Sequence, residues 1–522
     1  MSALDLTIIA LYLLFITWRG FQEAQTHNTT DDFFLADHTL SWPLIGLSLY
    51  ATNISISSII GLAGSGYKTG ISVFNYEWTG SVILVLFAIF IVPYYLRHQL
   101  ITMPEFLERR YDSRSRTYFS FISIAINVFI DIAGSLYASS LFLKGIFPEI
   151  DLYVFIIGMA MVSGLYTVAG GLRAVVITDS IQAILLTFGS IAVAAIVYNE
   201  VGSWNEIQQQ IAPEFLSLIR PLDDEVIPWP TLLISLPILG FYFACSNQYM
   251  VQRVLGAKSI DAGRKGVIFA AALKLPLLFI IVLPATLGRI IYPDLANPNL
   301  IFPELMLDFL PAGILGIVLT GFVAALMSSI DSALTAASSI ATLDLYKKVR
   351  PGSSQKHLIK VGKVFILVAV FAASLWAPFI NQFPTLWEYL QAVLSYISPP
   401  VVTCFIFGLF WSKATANSSF YSLILGGLMG IFLMINNYFY HFVPPIHYLY
   451  SATIIFIFSS AVMIITSIFT KNKVKHSIPG SVWQLSLTGT LSLSKKNPWY
   501  RSYQFYGALV CFIIVLIVYL FR

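Results

Sequence analysis

Ala51-Thr52-Asn53-Ile54-Ser55-Ile56-Ser57-Ser58 interrupts the apolar run 41–66 with one amide and a cluster of hydroxyls. Ser328-Ser329-Ile330-Asp331-Ser332 does the same inside 312–345. Hydrocarbon offers no partner to a hydroxyl or a freed backbone group. Polar sequence at membrane depth is therefore tolerated where it lines an enclosed cavity or binds a polar solute. The two stretches read as the two halves of a cation site.

The surrounding composition sets that pair in a membrane. Of 522 residues, 57% are hydrophobic and 11% are charged, against about 25% charged in soluble domains. Runs long enough for a spanning helix fall at 4–18, 41–66, 71–96, 117–143, 152–169, 174–199, 229–252, 266–288, 312–345, 364–380, 384–411, 417–440, 448–470 and 503–521. The chain is expected to be an all-α polytopic membrane protein of about 14 helices. Lys and Arg gather in cytoplasmic loops, and alternate loops hold 24 of the 30 basic residues. Five of the others are Lys68, Lys144, Arg220, Arg289 and Arg522, and the last, Lys274, lies inside a span. Loops 97–116, 253–265, 346–363 and 471–502 are thus placed inside and both termini outside. The formal charge of +4 belongs to those loops, not to a nucleic-acid surface.

Met1 to Asp5 has no basic n-region and no small-residue cleavage site follows, so the first span reads as a retained helix rather than a signal peptide. Cys245, Cys404 and Cys511 fall in spans without metal or redox spacing. The longest loops, 200–228 and 471–502, are too short for a separate core, leaving one transmembrane domain over 1–522. The seven histidines sit in loops or at span ends, with no paired haem or metal ligands. No enzyme chemistry and no cofactor is expected. The interior holds Asn53, Glu77, Asp131, Asp179, Lys274, Ser328, Ser329, Asp331, Ser332 and Gln391. An ionisable residue in a span costs about 2.5–3.5 kcal/mol on insertion scales and is read as functional by default.

Along the chain run Asp32-Phe33-Phe34-Leu35-Ala36, Ala51-Thr52-Asn53-Ile54-Ser55, Gly64-Ser65-Gly66-Tyr67, Tyr76-Glu77-Trp78, Met103-Pro104-Glu105-Phe106, Gly170-Gly171-Leu172, Thr178-Asp179, Asn247-Gln248-Tyr249 with Gln252-Arg253, Ser328-Ser329, Asp344-Leu345-Tyr346-Lys347 and Gly408-Leu409-Phe410-Trp411. In this order and spacing the chain resembles the sodium/solute symporter family, most of all its bacterial sodium/galactose branch. The resemblance implies a LeuT-type fold of five helices and their inverted repeat. That gives a first helix and loop over 1–40, repeats at 41–199 and 229–411, and three further helices over 417–522. Discontinuous first helices agree with the Asn53 to Ser58 stretch and with Pro237 and Gly240 in the second repeat.

The same resemblance implies a sodium site from Ala51, Ile54, Ala325, Ser328 and Ser329, with backbone carbonyls facing hydroxyls. A hard cation wants several oxygens. The alternative is that Ser328 and Ser329 only hydrogen-bond back to their own helix. Asp179 matches an acidic position that forms a second cation site in some relatives, and a structural ion pair is the competing reading. Asp331 stands where the sugar branch has a small or hydroxyl residue. It can join a cation site, pair with Lys274, or take up a proton.

Sugar-branch contacts map onto Asn53, Glu77, Lys274 and Gln391, with Tyr76 as outer gate, Phe243 as inner gate and Trp387 above; a structural ion pair is the competing reading for Glu77 and Lys274. Ser332, from the second polar stretch, is a further substrate-binding candidate. Ser58 replaces a family Gln, Asp131 an Asn, Phe243 a Tyr and Ala244 a Trp. Polyols need mixed donors and acceptors, which this set supplies. The expectation is sodium-coupled symport of a monosaccharide or polyol by alternating access in the bilayer of a bacterial inner membrane. A symporter of an amino acid, carboxylate or sugar acid, coupled to Na+ or H+, and a transport-like sensor are the competing classes.

Overall fold

The computed structural model describes residues 2–11, 14, 34–383, 385–470 and 502–522, with the side chains of 165, 166, 168–174, 324 and 326–328 excepted. Apart from two isolated bridges, Leu40 with Ala257 and Arg220 with Pro228, the described residues form no strand. In hydrocarbon only the helix satisfies its backbone within one segment. Among the described residues ten helices are long and apolar enough to cross a membrane, and the bent pair Trp42–Asn53 and Ile56–Thr69, taken as one span, makes eleven. Leu152–Gly164 and Ile314–Val323 are shorter apolar stretches. Residues 4–11 and 14 of the first expected span, 4–18, are described and helical, whereas the rest of that span and the loop at 471–501 lie outside the described residues. The spans expected at 152–169 and 174–199 join into one helical run, Leu152–Val201.

Burial ranks the spans. Windows of Ile71–Arg97, Ser113–Ile146 and Ile260–Ile291 are each 67% buried, whereas those of Tyr448–Phe469 and Tyr503–Leu520 reach 22% and 28%. The last spans thus lie at the periphery and offer most of their surface to lipid, and polar machinery has to be sought among the earlier ones.

The hydroxyl stretch breaks its helix as expected, and the two halves meet at 51°. Ile54 (φ −95°, ψ 51°) and Ser55 (φ −62°, ψ 161°) leave helical space. The amides of residues 55–58 therefore turn away from the carbonyls of 51–54. Ser55 then caps the second half: its Oγ accepts from the Ser58 N–H at 3.2 Å and meets the hydroxyls of Ser57 and Ser58 at 2.7 and 3.0 Å.

The counterpart helix of the second half is also broken, but not at Pro237 and Gly240. Both lie inside the helix Ser235–Phe241, where a proline in the first turn forfeits no internal hydrogen bond. The break follows a π-helical turn, Tyr242–Ser246, at Asn247 (φ −74°, ψ 120°). Asn247 caps the short helix Gln248–Leu255 by accepting from the Tyr249 N–H at 3.0 Å.

Candidate functional site

Gln248–Leu255 is buried along its whole length, and four of its side chains tie down distant segments. Gln248 Oε1 accepts from the Met103 N–H at 2.8 Å. The Tyr249 hydroxyl donates to the Thr52 carbonyl at 3.0 Å, one of the carbonyls freed by the first break. Gln252 donates to the Phe34 carbonyl. Arg253, 1% exposed, donates to Ser48 Oγ at 2.7 Å, to Asp179 at 3.0 Å, and also to Ser332 Oγ and the Tyr249 carbonyl. Sequence placed Arg253 among the cytoplasmic loop cations. It is a buried staple between the broken helix, Leu152–Val201 and Ile314–Ile340.

Beside this hub lies a cavity between the two broken helices and the helices Asn75–Leu86, Ile260–Lys274 and Leu386–Phe410. Nine of the ten expected substrate residues line it: Asn53, Ser58, Tyr76, Glu77, Asp131, Phe243, Lys274, Trp387 and Gln391. The tenth, Ser332, does not, because its hydroxyl is turned to Arg253. Ser135 and Met250 line the cavity as well and were not singled out from sequence, whereas Thr52 and Ser57, which also line it, belong to the hydroxyl stretch; Tyr249 is a further lining residue. Tyr249 stood in a quoted motif, the one signal that pointed to it.

Two faces of the cavity are aromatic. Tyr76 meets Trp387 edge to face at 5.5 Å, and its hydroxyl lies 2.9 Å from that of Tyr448. Tyr76 and Trp387 also line a second cavity with Lys68, Glu225, Glu388 and Tyr448, so this pair is the partition between the two spaces. Phe243 and Tyr249 pack at 6.2 Å in another wall.

The polar groups are arranged as an ion pair plus open acceptors and donors. Lys274 Nζ lies 3.0 Å from Glu77 Oε2 and donates to Asn53 Oδ1 at 3.1 Å. Asn53 Nδ2 is used by the Leu49 carbonyl at 2.8 Å. Thr52 Oγ1, Asp131 Oδ2 and Trp387 Nε1 are buried on this cavity and have no hydrogen-bond partner among the described residues. Buried polar atoms are almost always satisfied, so a cavity that keeps three open is shaped to receive a polar ligand.

The expected sodium residues Ala51, Ile54, Ala325 and Ser329 are 5, 3, 3 and 3% exposed, and Ile314–Ile340 packs against both halves of the broken helix. The Ser329 hydroxyl donates to the Ala325 carbonyl at 2.9 Å. Its oxygen lone pairs stay available to a cation. The Ser328 side chain lies outside the described set. Asp179 is fully buried and carries Ser48 Oγ at 2.6 Å together with Arg253. Asp331 does not pair with Lys274, which Glu77 and Asn53 hold. It accepts instead from the Thr167 hydroxyl. No group of three His, Cys, Asp or Glu suited to a metal occurs among the described residues.

Comparison with known proteins agrees with this geometry. A family model described as sodium:solute symporter family matches residues 33–426. Sodium/myo-inositol cotransporter 2 of Oryctolagus cuniculus is 33% identical, covering 92% of this chain and 78% of its own. Sodium/glucose cotransporter 1 of the same species is 31% identical over 90% and 79%. A solved structure, the substrate-bound outward-open state of a Na+-coupled sialic acid symporter, superposes with a TM-score of 0.78 at 24% identity, covering 90% of this chain and 99% of that one. That likeness establishes the LeuT-type fold. A match over most of the sequence makes this chain a transporter rather than an enzyme, and it belongs to the sodium:solute symporter family.

Proposed function

We propose that the protein couples inward movement of sodium to uptake of a monosaccharide or polyol by alternating access. The observation that carries this is the cavity: Asn53, Glu77, Lys274 and Gln391 present mixed donors and acceptors at once, beneath an aromatic partition. Hydroxyls of a polyol are both donors and acceptors and match such a set. The relatives named for glucose and myo-inositol support the same solute class. Amino-acid substrates are less well served, because the one lysine is engaged by Glu77 and Asn53.

The cation is assigned to the carbonyls of Ala51, Ile54 and Ala325 with the hydroxyls of Ser328 and Ser329. Ionic binding there would hold the broken helix against Ile314–Ile340 and so complete the adjoining solute cavity. Asp179 and Asp331 are the candidates for a second cation. The chain is assigned to a bacterial inner membrane with both termini extracytoplasmic. One sodium ion falling through ~150 mV releases about 3.5 kcal/mol, and a tenfold gradient adds about 1.4 kcal/mol. The sum sustains a solute gradient of several thousandfold.

The test is uptake of labelled hexoses, pentoses and inositols into proteoliposomes, with and without an inward sodium gradient, for wild type and Ser329→Ala. Sodium-driven accumulation that the variant loses is expected. Absence of uptake for every member of the panel would overturn the sugar assignment.

A further inference from the structure

The cavity carries one more carboxyl group than it has cations, and that excess names a substrate class. Its lining contains two carboxylates, Glu77 and Asp131, and one cation, Lys274. Lys274 is committed: it sits 3.0 Å from Glu77 Oε2 and donates to Asn53 at 3.1 Å. Asp131 is left without a counter-ion in the lining. Asn247 hydrogen-bonds the carboxyl, but the Asp131 Oδ2 is buried and receives no hydrogen bond among the described residues.

Asp131 is held in place by its backbone. It lies in the π-helical turn Asn127–Ile132, between the helices Ser113–Ile126 and Ala133–Ile146. Such single turns recur at functional sites because the extra residue re-aims side chains. Ser135, on the next turn of the same helical span, lines the same cavity.

Burying an ionised carboxylate without a partner is costly, and supplying an opposite charge within contact repays that cost. We propose that Asp131 selects a sugar or polyol bearing a protonated amino group, whose ammonium supplies the missing counter-ion, and that it disfavours sugar acids. This rests on the sugar or polyol reading given above. The division of labour is plain: Glu77, Lys274, Asn53 and Gln391 meet the hydroxyls, and Asp131 meets the nitrogen. A carboxylated sugar would add a second uncompensated negative charge to the same enclosed space.

The experiment is competition in the sodium-gradient uptake assay. Glucose, galactose, glucosamine, galactosamine, N-acetylglucosamine and glucuronate are each tested as inhibitors of whichever panel sugar is accumulated. Wild type and Asp131→Asn are compared. Asparagine keeps the shape and one acceptor while removing the charge. Free amino sugars are expected to compete at least tenfold better than their parent sugars, with the N-acetyl derivative losing that advantage and glucuronate inert. In Asp131→Asn the ratio between amino sugar and parent sugar is expected to fall to about one, whatever the variant's absolute uptake.

Equal competition by amino and parent sugars in wild type, or an amino-sugar preference unchanged in Asp131→Asn, would overturn the proposal and leave sugar transport standing. Failure of wild type to accumulate or bind any of the sugars, neutral or amino, would overturn both. If Asp131→Asn is not recovered folded, the wild-type comparison across the six compounds decides by itself.

Discussion

The Tyr249 hydroxyl donates to the Thr52 carbonyl at 3.0 Å, so the first turn after one helix break is bonded to the last turn before the other. Thr52 immediately follows Ala51, a proposed sodium ligand, and Tyr249 lines the solute cavity. One hydrogen bond therefore joins the backbone of the cation candidate to a wall of the solute site. That is the physical basis for expecting the two occupancies to influence each other.

Tyr249→Phe removes only that hydroxyl and leaves a buried carbonyl without its donor, at a cost of about 1–3 kcal/mol. The half-saturating sodium concentration for uptake is expected to rise roughly tenfold, with solute affinity at saturating sodium little altered. Sodium titration of uptake in the variant measures this. An unchanged sodium dependence would show that the bond does not link the two breaks.

Glu77 and Lys274 are 5% and 6% exposed at their side chains. Removing one partner strands the other charge and costs about 3–5 kcal/mol. Glu77→Gln and Lys274→Met are each expected to lower the unfolding temperature of the purified protein, and the double variant to recover most of that loss. Solute binding is expected to stay absent in all three, because the charged donor and acceptor are gone. Additive destabilisation in the double variant would mean that the pair acts on stability as two independent residues.

Gly266 is where Ile260–Lys274 crosses the first broken helix. A β-carbon there would lie 2.7 Å from Ile45 Cγ2 and 3.0 Å from the Trp42 carbonyl. Gly266→Ala is expected to push the helices apart, costing about 1–3 kcal/mol, and to displace Lys274 two turns further on. Gly158 has nothing within 4 Å of its would-be β-carbon, and Gly158→Ala is expected to be neutral or to gain about 1 kcal/mol through helix propensity. Melting curves of the two variants test the contrast, and equal behaviour would refute the close crossing.

The all-helical membrane class, the break at 51–58 and most of the polar lining of the cavity were legible in the sequence, because each has a local signature. Apolar length marks a crossing, hydroxyls in a span mark a break, and quoted motifs mark a cavity wall. The structure departs from those expectations at two places. Pro237 and Gly240 look like a helix breaker in sequence, yet the chain breaks at Asn247, where the side chain can cap the next helix. Ser332 sits one residue from Asp331, but its hydroxyl points to Arg253 rather than into the cavity.

What the sequence determined by itself was the class of molecule. Hydropathy and the sign of loop charges act residue by residue and need no fold to be read. Only the tertiary structure decided which charges are neutralised. It paired Lys274 with Glu77 and Arg253 with Asp179, gave Asp331 to Thr167, and left Asp131 facing the cavity. Those pairings join residues 74 to 197 positions apart, and Coulomb and hydrogen-bond energies depend on separation in space, which the linear order does not contain.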